Sequence, residues 1–329
     1  MSRLRNSEAH VLDTHAKRAP SATVPLPTWD ELARNVASLD PRLRDECARI
    51  KARGPTWHYF VARGIIKALL PNPCYQRLLE YTWADVVDFT ADQVARNQLI
   101  ERELRTSNLP KCHERTNAQL FRSHDQMPCT HETAVRRVQK VAEVISREQP
   151  ILLLGDDDMV SVELAAAGFS NVTAVDIDQR ILDDIAAAAQ KRKVSVRLAQ
   201  HDLSKPFPSE LRDDYALVMF DPAYSHDSVR MFLLAGLDAT QRRPGARFFI
   251  SVHLMSLLRS GLAAVDRLFA EEGLEILEFH PGFNIYPSPG RVNVLIHLVN
   301  RFVIGLKSAA TNSWSFPYLL SDVVVLRKT

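Results

Sequence analysis

The feature that most constrains this chain is a short apolar run, Ile151-Leu152-Leu153-Leu154, that stops at Gly155-Asp156-Asp157-Asp158. Four consecutive apolar residues closed by a glycine suit a strand covered on both faces, because a half-exposed strand would alternate. The same alternation of short strand and amphipathic helix then continues. A helical stretch over residues 160–167 is closed by Gly168, and a strand follows at 172–175. A helix over 181–192 and strands at 195–199 and 215–220 come next, then strands at Arg247–Val252 and 274–279 within further helix–strand alternation. Strands alternating with helices predict a parallel sheet covered on both faces, a Rossmann-like α/β fold. Apolar runs at 292–298 and 320–326 read as further strands.

The chain before this region differs in character. Residues 1–28 mix Ser, Pro, Ala and charge without apolar periodicity, which predicts a disordered tail. Residues 29–115 read as a smaller helical N-terminal domain, of winged-helix or accessory type. Thr28 is placed to cap a first helix, and Pro41 after Asp40 takes the first position of another. Between residues 81 and 104, Val86, Val87, Phe89, Val94, Leu99 and Leu104 fall at near-helical spacing. Residues 116–329 then form the catalytic domain. It opens with a helix after Thr130, on which Val135, Val138, Val141, Ala142 and Ile145 repeat at helical spacing.

Composition excludes several classes. A formal charge of +2 over 329 residues gives no electrostatic footprint for nucleic acid or an anionic membrane, so neither is expected as a partner. The balance is about +4 up to residue 115 and about −2 beyond it, which fits a cationic substrate in the second part. The same balance favours an accessory or homodimerisation role for the N-terminal helices over DNA binding. The four cysteines, Cys47, Cys74, Cys112 and Cys129, form no CxxC pair, so a reduced, cytoplasmic setting is expected. Cys112, His113, His124, Cys129 and His131 crowd one stretch, but their spacing matches no zinc module and no metal is expected. No apolar run reaches the ~20 residues of a membrane helix, and the N-terminus has no secretory apolar core.

In a doubly wound sheet the ligand lies at the carboxyl ends of the strands. Four acidic stations fall there: Asp156, Asp157 and Asp158 after the first strand, Asp176 after the second, Asp202 after the third, and Asp221 after the fourth. Asp176 stands about twenty residues beyond the glycine turn, the offset of a carboxylate that grips ribose hydroxyls. Asp202 suits an adenine amine. The first station decides the cofactor class. A dinucleotide fold would present G-x-G-x-x-G to a pyrophosphate, whereas three carboxylates after a single glycine repel one. They suit a cofactor arm that is cationic, such as the sulfonium and ammonium of decarboxylated S-adenosylmethionine. One aspartate would suffice to cap the following helix. In Asp221-Pro222-Ala223-Tyr224, close to the D-P-P-Y of amino-group methyltransferases, the carboxylate or neighbouring carbonyl orients an amine and the tyrosine ring packs against it.

These segments together resemble a known family. His124-Asp125-Gln126-Met127-Pro128-Cys129-Thr130-His131-Glu132-Thr133, Gly155-Asp156-Asp157-Asp158, Val175-Asp176-Ile177-Asp178, Asp221-Pro222-Ala223-Tyr224 and Phe283-Asn284-Ile285-Tyr286 fall in the order seen in branched-chain polyamine synthases, the N(4)-bis(aminopropyl)spermidine synthases. The likeness covers roughly residues 120–290. It implies a winged-helix-like N-terminal domain, a Rossmann-like S-adenosylmethionine-type transferase domain, and aminopropyl transfer from decarboxylated S-adenosylmethionine, a co-substrate rather than a bound cofactor. Two departures fall beside the acceptor: Ala223 where a second proline is usual, and Ile285 where a basic residue is common.

The expected mechanism is an in-line attack of a neutral amine on the methylene beside the sulfonium, with methylthioadenosine leaving. Asp158 and Asp221 are the expected catalytic carboxylates. Gly155, Asp156, Asp157, Asp176 and Asp202 are expected at the donor, and Gln126, Glu132, Tyr224, Asp227 and Tyr286 at the polyamine. Two rival readings are an N-methyl- or aminobutyrate-transferase using intact S-adenosylmethionine, and a non-enzymatic polyamine-sensing DNA-binding regulator.

Overall fold

The apolar run 151–154 lies in the middle of one seven-stranded sheet in the computed structural model, which describes residues 41–69, 79, 82–88, 90–91, 128–223, 225–252, 258–287, 305 and 318–329. Strand β1 (Ile151–Leu154) is parallel to β2 (Val172–Asp176) on one side and β4 (Leu217–Phe220) on the other. Strand β3 (Arg197–Gln200) flanks β2, and β5 (Arg247–Val252) flanks β4. With β6 (Leu274–Pro287) and β7 (Tyr318–Lys328) the order is β3-β2-β1-β4-β5-β7-β6. Strand order therefore reverses at β1, which places the crevice at its carboxyl end.

Alternate residues of β1 enter two cores. Leu152 and Leu154 join Val218, Phe220, Phe248 and Ile250 under α6 (His226–Ala239) and α7 (Leu258–Glu271). Ile151 and Leu153 join Leu217, Met219 and Phe249 under α3 (His131–Val144), α4 (Val160–Ala166) and α5 (Gln179–Arg192). All four β1 residues are buried, and each such side chain contributes about 1.5–3 kcal/mol of transfer free energy. Gly236 lets α6 approach closely, since a Cβ there would stand 3.0 Å from Val218 and 3.1 Å from Phe248.

Three features differ from the sequence reading. The sheet is not wholly parallel: β7 runs antiparallel to both β5 and β6. Adjacent antiparallel strands need no covering crossover helix, so the β6–β7 pair escapes the alternation rule. Strand β6 also runs on to Pro287, well past residue 279, through register shifts at Ile276/Glu278 and His280/Asn284. Within the second shift Gly282 takes φ +61, and its N–H donates to the buried Asp322 Oδ1 at 2.9 Å. Helix α3 bears out only part of the face read off its apolar residues: Val138 and Val141 turn inward, and Val135 is half-buried. Its buried residues are Thr133, Ala134, Arg137, Val138 and Val141, while Ala142 is exposed.

Ahead of the sheet, α1 (Pro41–Arg53) begins at the proline, as its fixed φ favours, and α2 (Trp57–Leu69) follows. Leu43, Cys47 and Ile50, at helical spacing on α1, pack with Val87 and Trp83. Residues 1–40, 92–127 and 292–298, on which the expected tail, the first helix, most of the 81–104 pattern and one strand fall, lie outside the described residues. Among the described residues no helix is long and apolar enough to cross a membrane.

Candidate active site

The glycine turn explains the first station. Gly155 holds φ +70, a left-handed conformation that L side chains rarely adopt, and a Cβ there would meet the Phe232 ring at 3.4 Å. Its N–H donates to Val175 O at 2.8 Å, tying the turn to β2. The chain then reaches α4 through Met159, whose side chain makes no capping bond. Asp156 caps the helix instead: its buried carboxylate accepts from the N–H of Val160 at 2.8 Å and of Ser161 at 3.1 Å. Burial raises its pKa to about 7 against the lowering effect of those bonds. Asp176, also buried, accepts from the N–H of Asp156 at 3.2 Å and of Asp178 at 2.8 Å, so the turns after β1 and β2 brace each other.

Asp202 is held locally. It accepts from Ser204 N at 3.0 Å and Ser204 Oγ at 2.7 Å, bonds that keep its carboxyl below the usual range.

The remaining acids meet one cation. Arg137 of α3 is 3% exposed and directs its guanidinium across the carboxyl ends of β1 and β4. Nη1 pairs with Asp158, while Nη2 donates to Asp221 at 2.7 Å, Ser251 Oγ at 3.2 Å and Tyr286 Oη at 3.2 Å. Nε donates to Asn284 Oδ1 at 2.9 Å. The other Asp158 oxygen accepts from Cys129 N, and the Tyr286 hydroxyl donates to Asp221. Asn284 Nδ2 in turn donates to Ser251 Oγ at 3.0 Å and Ser321 Oγ at 2.9 Å. Burial, then the Arg137 charge opposed by that of Asp158, leaves Asp221 above the ordinary carboxylate range.

Asp157 stands apart from its two neighbours. It is partly buried and makes no hydrogen bond or ion pair with any described residue. Burial first, and then the carboxylates of Asp158, Asp221, Asp176 and Asp156, push its pKa well up. An acid in that position gains most from an incoming cation.

The start of α3 is joined to β6 by one backbone bond and one bond to a threonine hydroxyl. Thr130 N donates to Ile285 O at 2.8 Å, and Ile285 N donates to Thr133 Oγ1 at 3.0 Å. The segments around residues 130 and 285 thus meet in space, with the Ile285 side chain buried.

The expected site residues divide accordingly. Asp158, Asp221 and Tyr286 share one network with Arg137, while Gly155, Asp156, Asp157 and Asp176 line the two adjoining turns. Tyr286 is 3% exposed on a strand, so it is part of the floor. Glu132 pairs at 3.7 Å with Arg136 one turn along α3 and is not drawn into the network. Asp227 is 98% exposed beside His226. Gln126 and Tyr224 lie outside the described residues, as do Cys112, His113 and His124. Among the described residues no group of His, Cys, Asp and Glu is arranged to hold a metal ion. Arg137 and the roles of Asn284, Ser251 and Ser321 escaped the sequence reading. The available signal was a cation within an otherwise small and apolar stripe on α3.

Residues 112–319 match the family model described as the branched-chain polyamine synthase A C-terminal domain, more than half of the chain. Over 177 residues the chain is 30% identical to the N(4)-bis(aminopropyl)spermidine synthase of Thermococcus kodakarensis, which covers 51% of this chain and 49% of that protein. An uncharacterised protein of Methanocaldococcus jannaschii is 31% identical over 164 residues, 49% of this chain and 41% of the relative. The chain spans about half the length of these curated relatives, or less. The solved branched-chain polyamine synthase of Thermus thermophilus, in complex with N4-aminopropylspermidine and 5'-methylthioadenosine, superposes with a TM-score of 0.52 at 19% identity. The match covers 71% of this chain and 64% of that one. That likeness shows the fold, a Rossmann-like α/β unit.

Proposed function

The chain belongs to the branched-chain polyamine synthase A C-terminal domain family, and from that premise we propose that it is an aminopropyltransferase acting on a polyamine. The observation that carries the reading is the unpaired Asp157 among four other carboxylates at the strand ends. A site of that charge selects ligands whose reacting arms are cationic. Decarboxylated S-adenosylmethionine is the proposed donor, because its sulfonium and ammonium arm has no carboxylate for these acids to repel. Spermidine and N4-aminopropylspermidine, named with the relatives, are the proposed acceptors.

In the proposed reaction an acceptor nitrogen gives its lone pair to the methylene carbon beside the sulfonium. The carbon–sulfur bond breaks with its electrons passing to sulfur, and neutral methylthioadenosine departs. The sulfonium is a good leaving group without protonation, so catalysis rests on alignment and on removing the acceptor's proton. Free amines of this kind hold that proton near pKa ~10, as lysine does. Asp221, with its raised pKa and its place after β4, is assigned to take it. Asp157 is assigned to the ammonium of the aminopropyl arm, Asp176 to the ribose and Asp202 to the adenine, across the Gly155 turn. Asp156 and Asp158 are assigned to holding that turn, since Val160 and Ser161 occupy the first and Cys129 and Arg137 the second. Gln126 and Tyr224 keep their proposed contacts with the polyamine, and Tyr286 acts on it through Asp221.

The reaction is assigned to the cytoplasm, in line with the free thiols of Cys47 and Cys129. A homodimer meeting through the exposed Trp57 and Phe60 of α2 completes the proposal, and a monomer mass in sedimentation would count against it.

The test is incubation with decarboxylated S-adenosylmethionine and each polyamine, followed by mass spectrometry. One methylthioadenosine is expected for each aminopropyl group added to the acceptor. No methylthioadenosine with any polyamine overturns the reading. S-adenosylhomocysteine formed from S-adenosylmethionine would replace it with methyl transfer.

A further inference from the structure

We propose that Arg137 is a positioning residue: it fixes Asp158 and Asp221, which belong to different strand ends, in one arrangement and so leaves Asp157 as the acid of the triplet that meets the ligand's cation. The proposal rests on the aminopropyl-transfer reading for its kinetic consequences, and its geometric core stands apart from it.

The geometry has three parts. First, the guanidinium is held along several directions at once. Nε is fixed by Asn284 at 2.9 Å, Nη1 by Asp158, and Nη2 by Asp221 at 2.7 Å with Ser251 and Tyr286 at 3.2 Å. A planar fork can join two carboxylates this way, and a lysine ammonium on a flexible stem cannot. Second, the support is itself oriented. Asn284 gives its amide hydrogens to Ser251 and Ser321, at 3.0 and 2.9 Å, which leaves only its oxygen for Nε. Third, the acids of the glycine turn are divided by what holds them. Asp156 is taken by the N–H groups of Val160 and Ser161, and Asp158 by Cys129 N and Arg137. Asp157 has no such partner among the described residues.

Stability does not account for this arrangement. Arg137 shares the buried face of α3 with Ala134, Val138 and Val141, so the cluster carries the cost of desolvating a guanidinium and its carboxylates. Replacing a buried ionic cluster by well-packed apolar residues is often neutral or stabilising. What an apolar residue does not supply is a fixed separation between the acid after β1 and the acid after β4. That separation sets the distance between the donor's reacting arm and the amine. Among the described residues the titratable or charged groups facing Asp221 include Arg137, Asp158, Asp157, Cys129 and Tyr286, and of these Arg137 is the cation.

Arg137→Lys keeps a charge but loses the fork. Its kcat is expected to fall about 100-fold with the polyamine KM within a few-fold, because Nε, Nη1 and Nη2 are all directed at protein groups. Arg137→Gln removes the charge and is expected to move the acid limb of the pH–rate profile up by about 1–3 units. Wild-type kcat in Arg137→Lys, with an unmoved pH profile in Arg137→Gln, overturns the proposal. If either variant fails to fold, Asn284→Ala, which keeps the charge and removes the Nε anchor, decides: a fall in kcat supports the proposal and a wild-type kcat ends it. If the wild-type protein transfers no aminopropyl group, that reading fails separately. Arg137 is then judged by carboxyl NMR of the ligand-free protein, in which Arg137→Gln must raise the Asp221 midpoint by about 1–3 units and leave Asp202 unmoved. An unmoved Asp221 midpoint overturns it.

Discussion

The carboxyl edge of the sheet has two halves that hold their acids in opposite ways. On the β1–β2–β3 side Asp156, Asp176 and Asp202 accept from backbone N–H groups no more than 20 residues away. On the β4–β5–β7–β6 side Asp221 is held by side chains 84 and 65 residues distant, Arg137 and Tyr286. Backbone amides at a turn are rigid donors that come with the fold, whereas a guanidinium reaching between strands must itself be anchored. The donor half is therefore built by local chain geometry, and the acceptor half by assembly of the whole domain. Asp157 lies where the halves meet and is claimed by neither.

The strongest way to break this picture is Asp157→Asn. Removing an unpaired carboxyl from a crowd of acids leaves stability at pH 8 unchanged or raised, while turnover falls about 10²–10⁴-fold. Urea denaturation together with methylthioadenosine release checks both parts, and a loss of stability would mean that Asp157 has a structural partner after all. The next effect compares the halves directly. Asp221→Asn strips a largely buried partner from Arg137 and is expected to cost about 3–5 kcal/mol. Asp176→Asn loses backbone bonds and costs about 1–3 kcal/mol. Equal losses in urea would erase the distinction.

Asp156 gives the donor half a pH signature. Its folded pKa of about 7 lies above the usual 3.8, so between these values the folded state binds more protons than the unfolded one. Stability from this group is full below pH ~4 and is lost as pH rises through ~7, at most about 4 kcal/mol in all. Thermal melts of ligand-free protein are expected to fall from pH 5 to pH 8, and Asp156→Asn to flatten that slope. A wild-type slope in the variant would assign the titration to another acid.

The same division decides what could be read from the residues alone. Strands β1 and β2, the Gly155 turn and the acids after them are local patterns, set by apolar runs and by a glycine at φ +70. The start of α1 at Pro41 is equally local. What escaped was long-range. Antiparallel β7 breaks no local rule, because strand direction is fixed only by which neighbour it meets. Arg137 reads as one charge in a charged helix until α3 is rotated onto the sheet, and Asn284 acquires its role only once Thr130 and Thr133 are bonded to Ile285. Two site candidates only six residues apart fare differently: Asp221, at a strand end, is 13% exposed, and Asp227, in the first turn of the next helix, is 98% exposed.

Asp227 therefore supplies the smallest and most discriminating expectation. It sits in the first turn of α6, 98% exposed, with His226 Nδ1 at 3.1 Å as its neighbour. The cap of that helix is Ser225, which accepts from Ser228 N at 3.2 Å, so Asp227 is not needed to start it. A solvated carboxylate outside the network has little hold on a polyamine at physiological salt. Asp227→Ala should keep kcat and the polyamine KM within about twofold of wild type. A polyamine KM raised tenfold at low salt, and restored toward wild type as salt screens both proteins, would show that a distal ammonium of the acceptor reaches the start of α6. The acceptor half would then extend beyond the buried network that Arg137 organises.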